Sequence, residues 1–327
     1  MKQIRLLLGD SREILKKIEP LSIDMCYADP PFFTQRNFNH EKSNHHAFTD
    51  KWKSIDDYLW FMRDIIKFIH DVLTPFGSFF LHCDYHANSH LRIICDRIFG
   101  ENNFRNEIIW RRTSIHSSGN GLENVTDSIF YYTKSDEMIF NQLYEKNTSE
   151  RYRKVEEETG RIYETYPLEN GISFKYIGEE RIFYTPEGTP FTMKTDIGWK
   201  WQQNVINERW KQNPYIFYIT RSGRIRYKLY LDEYKGTKLS NDWTELGILG
   251  SRSKERTGYP TQKPEKLLER IIQLSTNEGM CVLDPFVGSG TSMVVAQRLN
   301  RYGIGIDSNK VAIEITQKRL ERWKAIS

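Results

Sequence analysis

A doubly wound α/β sheet with a β-rich domain inserted into it is the fold that the sequence predicts. Short apolar runs alternate with segments of helical periodicity over residues 3–132 and again over 264–323, as strands joined by crossover helices do. Between about 142 and 257 that alternation stops, and Tyr-rich, turn-punctuated sequence replaces it. Near the carboxyl end a glycine-rich turn sits directly between an apolar strand and a helix. At 327 residues the chain can bury one large core and an accessory one.

Residues 3–8 read as a strand, Gly9-Asp10 as its turn and 11–18 as a helix. A second apolar run, 23–28, ends at Asp29-Pro30-Pro31, because consecutive prolines lack the N–H groups that a central ladder needs. Residues 55–73 are helical by periodicity, 78–83 form a strand, 87–99 a helix, and 107–110 and 129–132 short strands. After the insertion come a helix at 264–276, strands at 281–283 and 303–306, and helices at 291–299 and 309–323. Strand and helix in alternation favour a parallel sheet. The expected organisation is thus one domain in two halves, 1–141 and 258–327, around an inserted domain at 142–257.

Cys26, Cys83, Cys95 and Cys281 stand singly inside apolar runs, without zinc-site spacing, which points to a reducing, cytoplasmic setting and no structural metal. No apolar run approaches the roughly 20 residues that span a bilayer, so no membrane role is expected. The formal net charge of +4 is small, but it is unevenly placed. Residues 191–258 hold 13 Lys/Arg against 7 Asp/Glu, and the remainder sums to about −2. Trp199, Trp201, Trp210 and Trp243 fall in the same stretch, and basic groups among aromatics suit phosphate contact and base stacking. A solvated basic face over a small aromatic core fits the same composition. On the first reading Lys194, Lys200, Arg209, Lys211, Arg221, Arg224 and Arg226 are the candidate DNA contacts.

Gly288 and Gly290 let the backbone turn sharply and approach a ligand, although a tight turn with no ligand would look alike. Nineteen residues beyond Gly288, a second apolar strand ends in Asp307, where a ribose diol would be held. Neither GxGxxG nor a GK[ST] loop is present, which leaves an adenosyl ligand without phosphates. Asp29-Pro30-Pro31-Phe32 makes a stiff loop that displays acceptors only. The Asp29 carboxylate and the Pro30 carbonyl could hold both hydrogens of an exocyclic amino group while Phe32 stacks on the base. Stacking contributes on the order of 1 to 3 kcal/mol, comparable with the few kcal/mol needed to extrude a base from a duplex. A strand-terminating turn with a solvated Asp is the plainer alternative.

Together these motifs resemble the β group of DNA amino-methyltransferases, in which the catalytic half precedes the cofactor half. The resemblance runs through Gly9-Asp10, Asp29-Pro30-Pro31-Phe32, His82-Cys83-Asp84, Asn106 to Trp110, Tyr259 to Pro264, Asp284 to Thr291 and Gly305-Ile306-Asp307, in family order. It implies a Rossmann-like methyltransferase sheet of circularly permuted order and S-adenosylmethionine as cofactor. It further implies a pocket that involves Asp10, Ala28, Asp29, Asp284, Phe286, Gly288, Gly290, Thr291 and Asp307, with Thr261, Lys263 and Pro264 at the methionine end and Lys263 facing its carboxylate. Asp in the proline motif accompanies adenine N6 transfer in this family, and Ser more often cytosine N4 transfer. The insertion then stands where the target-recognition domain does. Duplex DNA is the implied partner, with a restriction endonuclease and a second copy of the chain as further candidates. A DNA-recognition subunit without catalysis is a third reading. The His-rich loop 38–52, with His40, His45 and His46, reads as a polar lid over the flipped base.

Overall fold

Each strand of the main sheet is a short apolar segment whose side chains serve two faces in turn. The computed structural model describes residues 4–40, 46–114, 121–145, 152–168, 182–185, 188–192, 200–222, 224–250 and 252–324. In chain order the first part holds β1 (Ile4–Leu8), α1 (Ser11–Leu15), β2 (Ile23–Ala28), β3 (Arg36–Asn39), β4 (His46–Asp50), α2 (Ile55–Val72), β5 (Leu73–Cys83), α3 (Asn88–Phe99), β6 (Phe104–Arg111) and β7 (Thr126–Thr133). There follow β8 (Tyr144–Glu145), β9 (Lys154–Val155), β10 (Ile162–Pro167), β11 (Ile182–Tyr184), β12 (Pro190–Thr192), α4 (Gln203–Gln212), β13 (Phe217–Ile219), β14 (Ile225–Tyr230) and β15 (Thr237–Lys238). The last part holds α5 (Glu265–Ser275), β16 (Cys281–Asp284), α6 (Thr291–Arg298), β17 (Tyr302–Asp307) and α7 (Lys310–Lys324).

The chain divides into two units, Met1–Leu143 with Leu239–Ser327, and Tyr144–Lys238. In the first, the sheet order is β1-β17-β16-β2-β5-β7-β6. Along β2, Cys26 and Ala28 enter a core shared with α1, α2 and α3, while Met25 and Tyr27 enter a second core with α5 and α6. Helices therefore cover both faces. In α2, Tyr58, Met62, Ile65, Ile66 and Ile69 are buried at helical spacing, and the Ser54 hydroxyl caps its start by accepting the Asp57 N–H at 3.1 Å. Parallel pairing of β1 with β17 joins the two chain ends in one sheet. Successive strands wind outward in opposite directions from the β16–β2 neighbours, so a ligand crevice is expected at their carboxyl ends.

Two expectations need correcting. The sheet is mixed, because β7 runs antiparallel to both β5 and β6, with Trp110 opposite Asp127. No helix of the described residues stands between β6 and β7 to carry the chain back across the sheet, whereas parallel neighbours such as β16 and β17 are linked by a crossover helix. The second unit also closes at Lys238, earlier than the expected 257. Residues beyond it line the edge of β6, where Ile109 N–H donates to Asn241 O (2.9 Å) and Trp243 N–H to Ile109 O (2.9 Å). Trp243 is 1 % exposed in the core of the first unit.

The second unit carries a four-stranded antiparallel sheet, β13-β14-β10-β9, with α4 packed on a core of Leu168, Ile206, Ile216, Phe217, Ile225 and Tyr227. Trp201 and Trp210 are partly buried against that core, which favours the plainer reading of these aromatics. No helix among the described residues is long and apolar enough to cross a membrane.

Candidate active site

The proline turn and the glycine turn open onto one cavity of about 700 Å³ at the carboxyl ends of β2 and β16. That volume lies in the range of small-molecule sites. Among the residues expected there, Asp10, Asp29, Pro30, Pro31, Phe32, Thr261, Lys263, Asp284, Phe286, Gly288, Thr291 and Asp307 line it. Ala28, Pro264 and Gly290 do not. Ala28 is fully buried in β2, Pro264 caps α5, and Gly290 shapes the turn from behind. Gly290 has φ +79°, and a Cβ there would meet Thr316 Cγ2 at 2.4 Å, so both conformation and space require glycine.

Two carboxylates shape the glycine side. Asp307 accepts the Gly288 N–H on one oxygen (2.9 Å) and the Asn309 N–H on the other (2.8 Å), so the turn and the end of β17 are locked together. Asp284 accepts the Phe286 N–H (2.9 Å) and the Ser292 hydroxyl, and burial pushes its carboxyl up to about 7. Asp10 caps α1 by accepting the Arg12 N–H (2.8 Å), and the Arg12 guanidinium beside it holds its carboxyl below the usual range.

Asp29 is partly exposed to the cavity. Lys263, expected to face a cofactor carboxylate, places Nζ 2.5 Å from Asp29 Oδ2 and 5.4 Å from the Phe32 ring centroid. Its side chain is only 9 % exposed, so the ion pair is partly desolvated and the nearest anion attracts it strongly. The family resemblance carried no information about this partner.

Behind Asp29 lies a polar chain that the sequence reading did not find. His82, with no exposed surface, puts Nε2 3.1 Å from Asp127 Oδ2 and Nδ1 2.8 Å from the Tyr27 hydroxyl. With Nε2–H donated to the carboxylate, Nδ1 accepts the Tyr27 proton. The same Nδ1 is 4.0 Å from Asp29 Oδ1, and the imidazole stacks on Phe32 at 5.6 Å. Arg112 pairs with Asp127 (3.4 Å) and Asp84 (3.6 Å) at the far end of the chain. Antiparallel β7 is what brings Asp127 to this edge, so periodicity alone gave no signal of it.

Asp50, 1 % exposed at the end of β4, is the other unforeseen group. Its carboxylate accepts the N–H groups of Phe32 (3.1 Å), Phe33 (3.0 Å) and Thr34 (2.7 Å), the Thr34 hydroxyl (2.6 Å) and Trp52 Nε1–H (2.9 Å). Phe33 and Gln35 hold φ of +66° and +60°, a conformation costing about 1 to 2 kcal/mol each. Hydrogen bonds to a charged group contribute about 1.5 to 3 kcal/mol apiece, so five of them outweigh that strain. The segment expected to form a lid contains two paired strands: β3 and β4 pair antiparallel, Phe38 stacks on Phe48 at 4.6 Å, and His45 lies outside the described residues. His40 stands just beyond β3, and His46 Nε2 sits 3.1 Å from the Thr49 hydroxyl.

In the second unit the candidate DNA contacts divide. Lys211, Arg221 and Arg224 are exposed, and Arg209 is exposed while stacking on Trp201 at 4.1 Å. Lys200 contacts the Tyr227 hydroxyl. Arg226 departs from expectation, since its guanidinium donates to Thr165 Oγ1 (3.1 Å) and Thr165 O (2.6 Å) across the β10–β14 pair. Lys194 and Trp199 lie outside the described residues.

Comparison with known proteins bears on the family and the fold. A family described as DNA methylase, covering N6 and N4 enzymes, matches residues 23–318. Type II methyltransferase M.EcaI of Enterobacter cloacae is 28% identical over 321 residues, 94% of this chain and 67% of that protein. Type II methyltransferase M2.LlaDCHI of Lactococcus lactis subsp. cremoris is 29% identical over 321 residues, 96% of this chain and 88% of that one. Among solved structures, a DNA modification methylase from Thermus thermophilus, complexed with S-adenosyl-L-methionine, shares the fold with a TM-score of 0.51 at 16% identity, over 98% of this chain and 95% of that one.

Proposed function

The chain belongs to the N6/N4 family of DNA methylases, and on that premise we propose that it transfers a methyl group from S-adenosylmethionine to the exocyclic N6 of adenine in a specific duplex DNA sequence. The observation that carries the base assignment is the acidic first residue of the proline turn, Asp29, because the family resemblance links Asp at that position to adenine N6 transfer and Ser more often to cytosine N4 transfer. Cytosine N4 transfer is the second reading, because the family contains both kinds.

The cavity fits an adenosyl cofactor. Asp307 has acceptor capacity left after its two backbone bonds and suits a ribose diol. Phe286 and Phe48 offer apolar surface for a purine, and neither glycine-loop cations nor a phosphate cradle lines the site among the described residues. When bound, the cofactor supplies a methyl group activated by its sulfonium. The residues of the chain then have a positioning task. Asp29 and the Pro30 carbonyl accept the two amino hydrogens, leaving the nitrogen lone pair free to point at the methyl donor. Phe32, backed by His82, presents a flat face to the extruded base. As the nitrogen gains a methyl it becomes cationic, and Asp29 is the nearest anion to stabilise it and take its proton.

Arg209, Lys211, Arg221 and Arg224 are proposed phosphate contacts of a target-recognition domain formed by the second unit. The type II relatives suggest a companion restriction endonuclease, and the proposed workplace is the cytoplasm.

A labelled-methyl assay on duplex DNA with nucleoside analysis tests the reading: N6-methyladenine is expected, and N4-methylcytosine alone refutes the base. Asp29→Ala is expected to lower turnover by about 100-fold or more with cofactor affinity little changed. Full activity in that variant refutes the role given to Asp29.

A further inference from the structure

Resting on the methyl-transfer reading, we infer that Asp50 is a positioning residue for the methyl acceptor, acting through the loop that carries Pro30 and Phe32. No other carboxylate of the cavity, among the described residues, gathers successive backbone N–H groups in this way. Asp50 collects three, from Phe32, Phe33 and Thr34, so the chain just after the proline turn wraps around one buried anion. The Thr34 hydroxyl adds a fourth donor from the same loop. Prolines 30 and 31 stiffen one end of the turn but cannot aim it, because they offer no N–H to any partner. The aim comes from the next three residues, and their donors converge on Asp50.

The hairpin that delivers Asp50 is itself registered on the glycine side of the cavity. At the start of β4, Asn309 Nδ2 donates to His46 O (3.2 Å) and to Ala47 O, while the Asn309 backbone N–H is bound by Asp307. At the other end, Gln35 and Trp52 exchange two hydrogen bonds (3.0 and 3.2 Å), clamping the loop against the residues after β4. One short hairpin thus sets the distance between Asp307 and the Phe32 ring. The carboxylate of Asp50 works on that distance, both its oxygens being engaged by donors of Phe32, Phe33, Thr34 and Trp52.

The test is Asp50→Asn, which keeps size and shape. Whichever way the amide turns, its NH₂ faces two or three donors that lose their acceptor. With labelled cofactor and an unmodified duplex, kcat is expected to fall by about 100-fold, and with a second duplex carrying 2-aminopurine at the target base the emission that reports base extrusion is expected to drop, with cofactor Kd within about threefold of the parent. Thr34→Val removes a single donor, and it is expected to shift kcat and emission in the same direction by a smaller factor. Unchanged kcat in either folded variant overturns the inference. So does a parallel loss of cofactor binding and melting temperature with emission intact, because a purely structural residue would give that. If Asp50→Asn does not fold, Thr34→Val decides alone. Failure of the parent enzyme to methylate DNA would sink the underlying reading, and the comparison of emission between parent and variant would still judge Asp50.

Discussion

At the residue scale the site is a set of buried and partly buried carboxylates, held by several devices. Asp307 and Asp50 are wrapped by backbone N–H groups, Asp127 is bonded to a buried imidazole, and Asp29 is paired with Lys263. Asp284 is the least compensated of them, since burial outweighs the bonds from Ser292 and Phe286 and raises its carboxyl from 3.8 to about 7. A raised carboxyl pKa favours the folded state at low pH. That contribution is fully present below about pH 4, is lost as pH rises to about 7, and is gone above it. Asp284→Asn is therefore expected to raise the melting temperature of the unloaded protein at pH 8, with the gain shrinking toward pH 5. A gain that does not depend on pH would refute the assignment. Of these anions, Asp29, Asp284 and Asp307 were legible in the sequence because they punctuate motifs at strand ends. Asp50 and Asp127 were not, since an isolated acid at the end or the start of a strand carries no pattern until the fold supplies its donors.

At the element scale, the turn from β16 to α6 depends on the left-handed residue that starts the helix. Gly290→Ala would force a Cβ into Thr316 at a φ of +79°. The close contact is to a side chain on α7, so the helix or the turn must shift, and Asp307, bonded to Gly288 in the same turn, shifts with it. The expected result is a loss of about 1 to 3 kcal/mol in stability and a weaker cofactor Kd. Denaturant titration and isothermal calorimetry measure the two, and unchanged values in both would refute the account. Most helices and main-sheet strands of the first unit fall within three residues of their expected limits because periodicity and apolar runs are local signals; β2 was found at 23–28 as expected, whereas β5 starts at Leu73, five residues before the expected 78. The strand pair β3–β4 went unseen because its few apolar residues, Phe38, Ala47 and Phe48, are set among Arg, Asn, His, Thr and Asp and make no periodic run.

At the scale of the whole molecule, DNA affinity is expected to reside in the exposed cations of the second unit. Replacing Arg209, Lys211, Arg221 and Arg224 together with Gln should flatten the dependence of log K on log salt by about 3.6, or about 0.9 for each phosphate no longer neutralised. Arg226→Gln should instead lower stability with little change in that slope, because its guanidinium bonds Thr165. Salt-dependent binding titrations decide this, and equal slopes for parent and quadruple variant would remove the second unit as the DNA-binding surface. Net charge counted along the chain located this region but could not sort its members, since counting cannot tell a cation facing solvent from one bonded inside a sheet.

The sequence by itself determined the sheet strands, the helices and the two turns that open the cavity, because proline, glycine and apolar periodicity constrain backbone within a few residues. Tertiary structure alone decided the antiparallel course of β7, the transfer of Trp243 to the main core and the partners of Asp29, Asp50 and Asp127. Those depend on which strands become neighbours, and a neighbour distant in the chain exerts its force only once the sheet has formed.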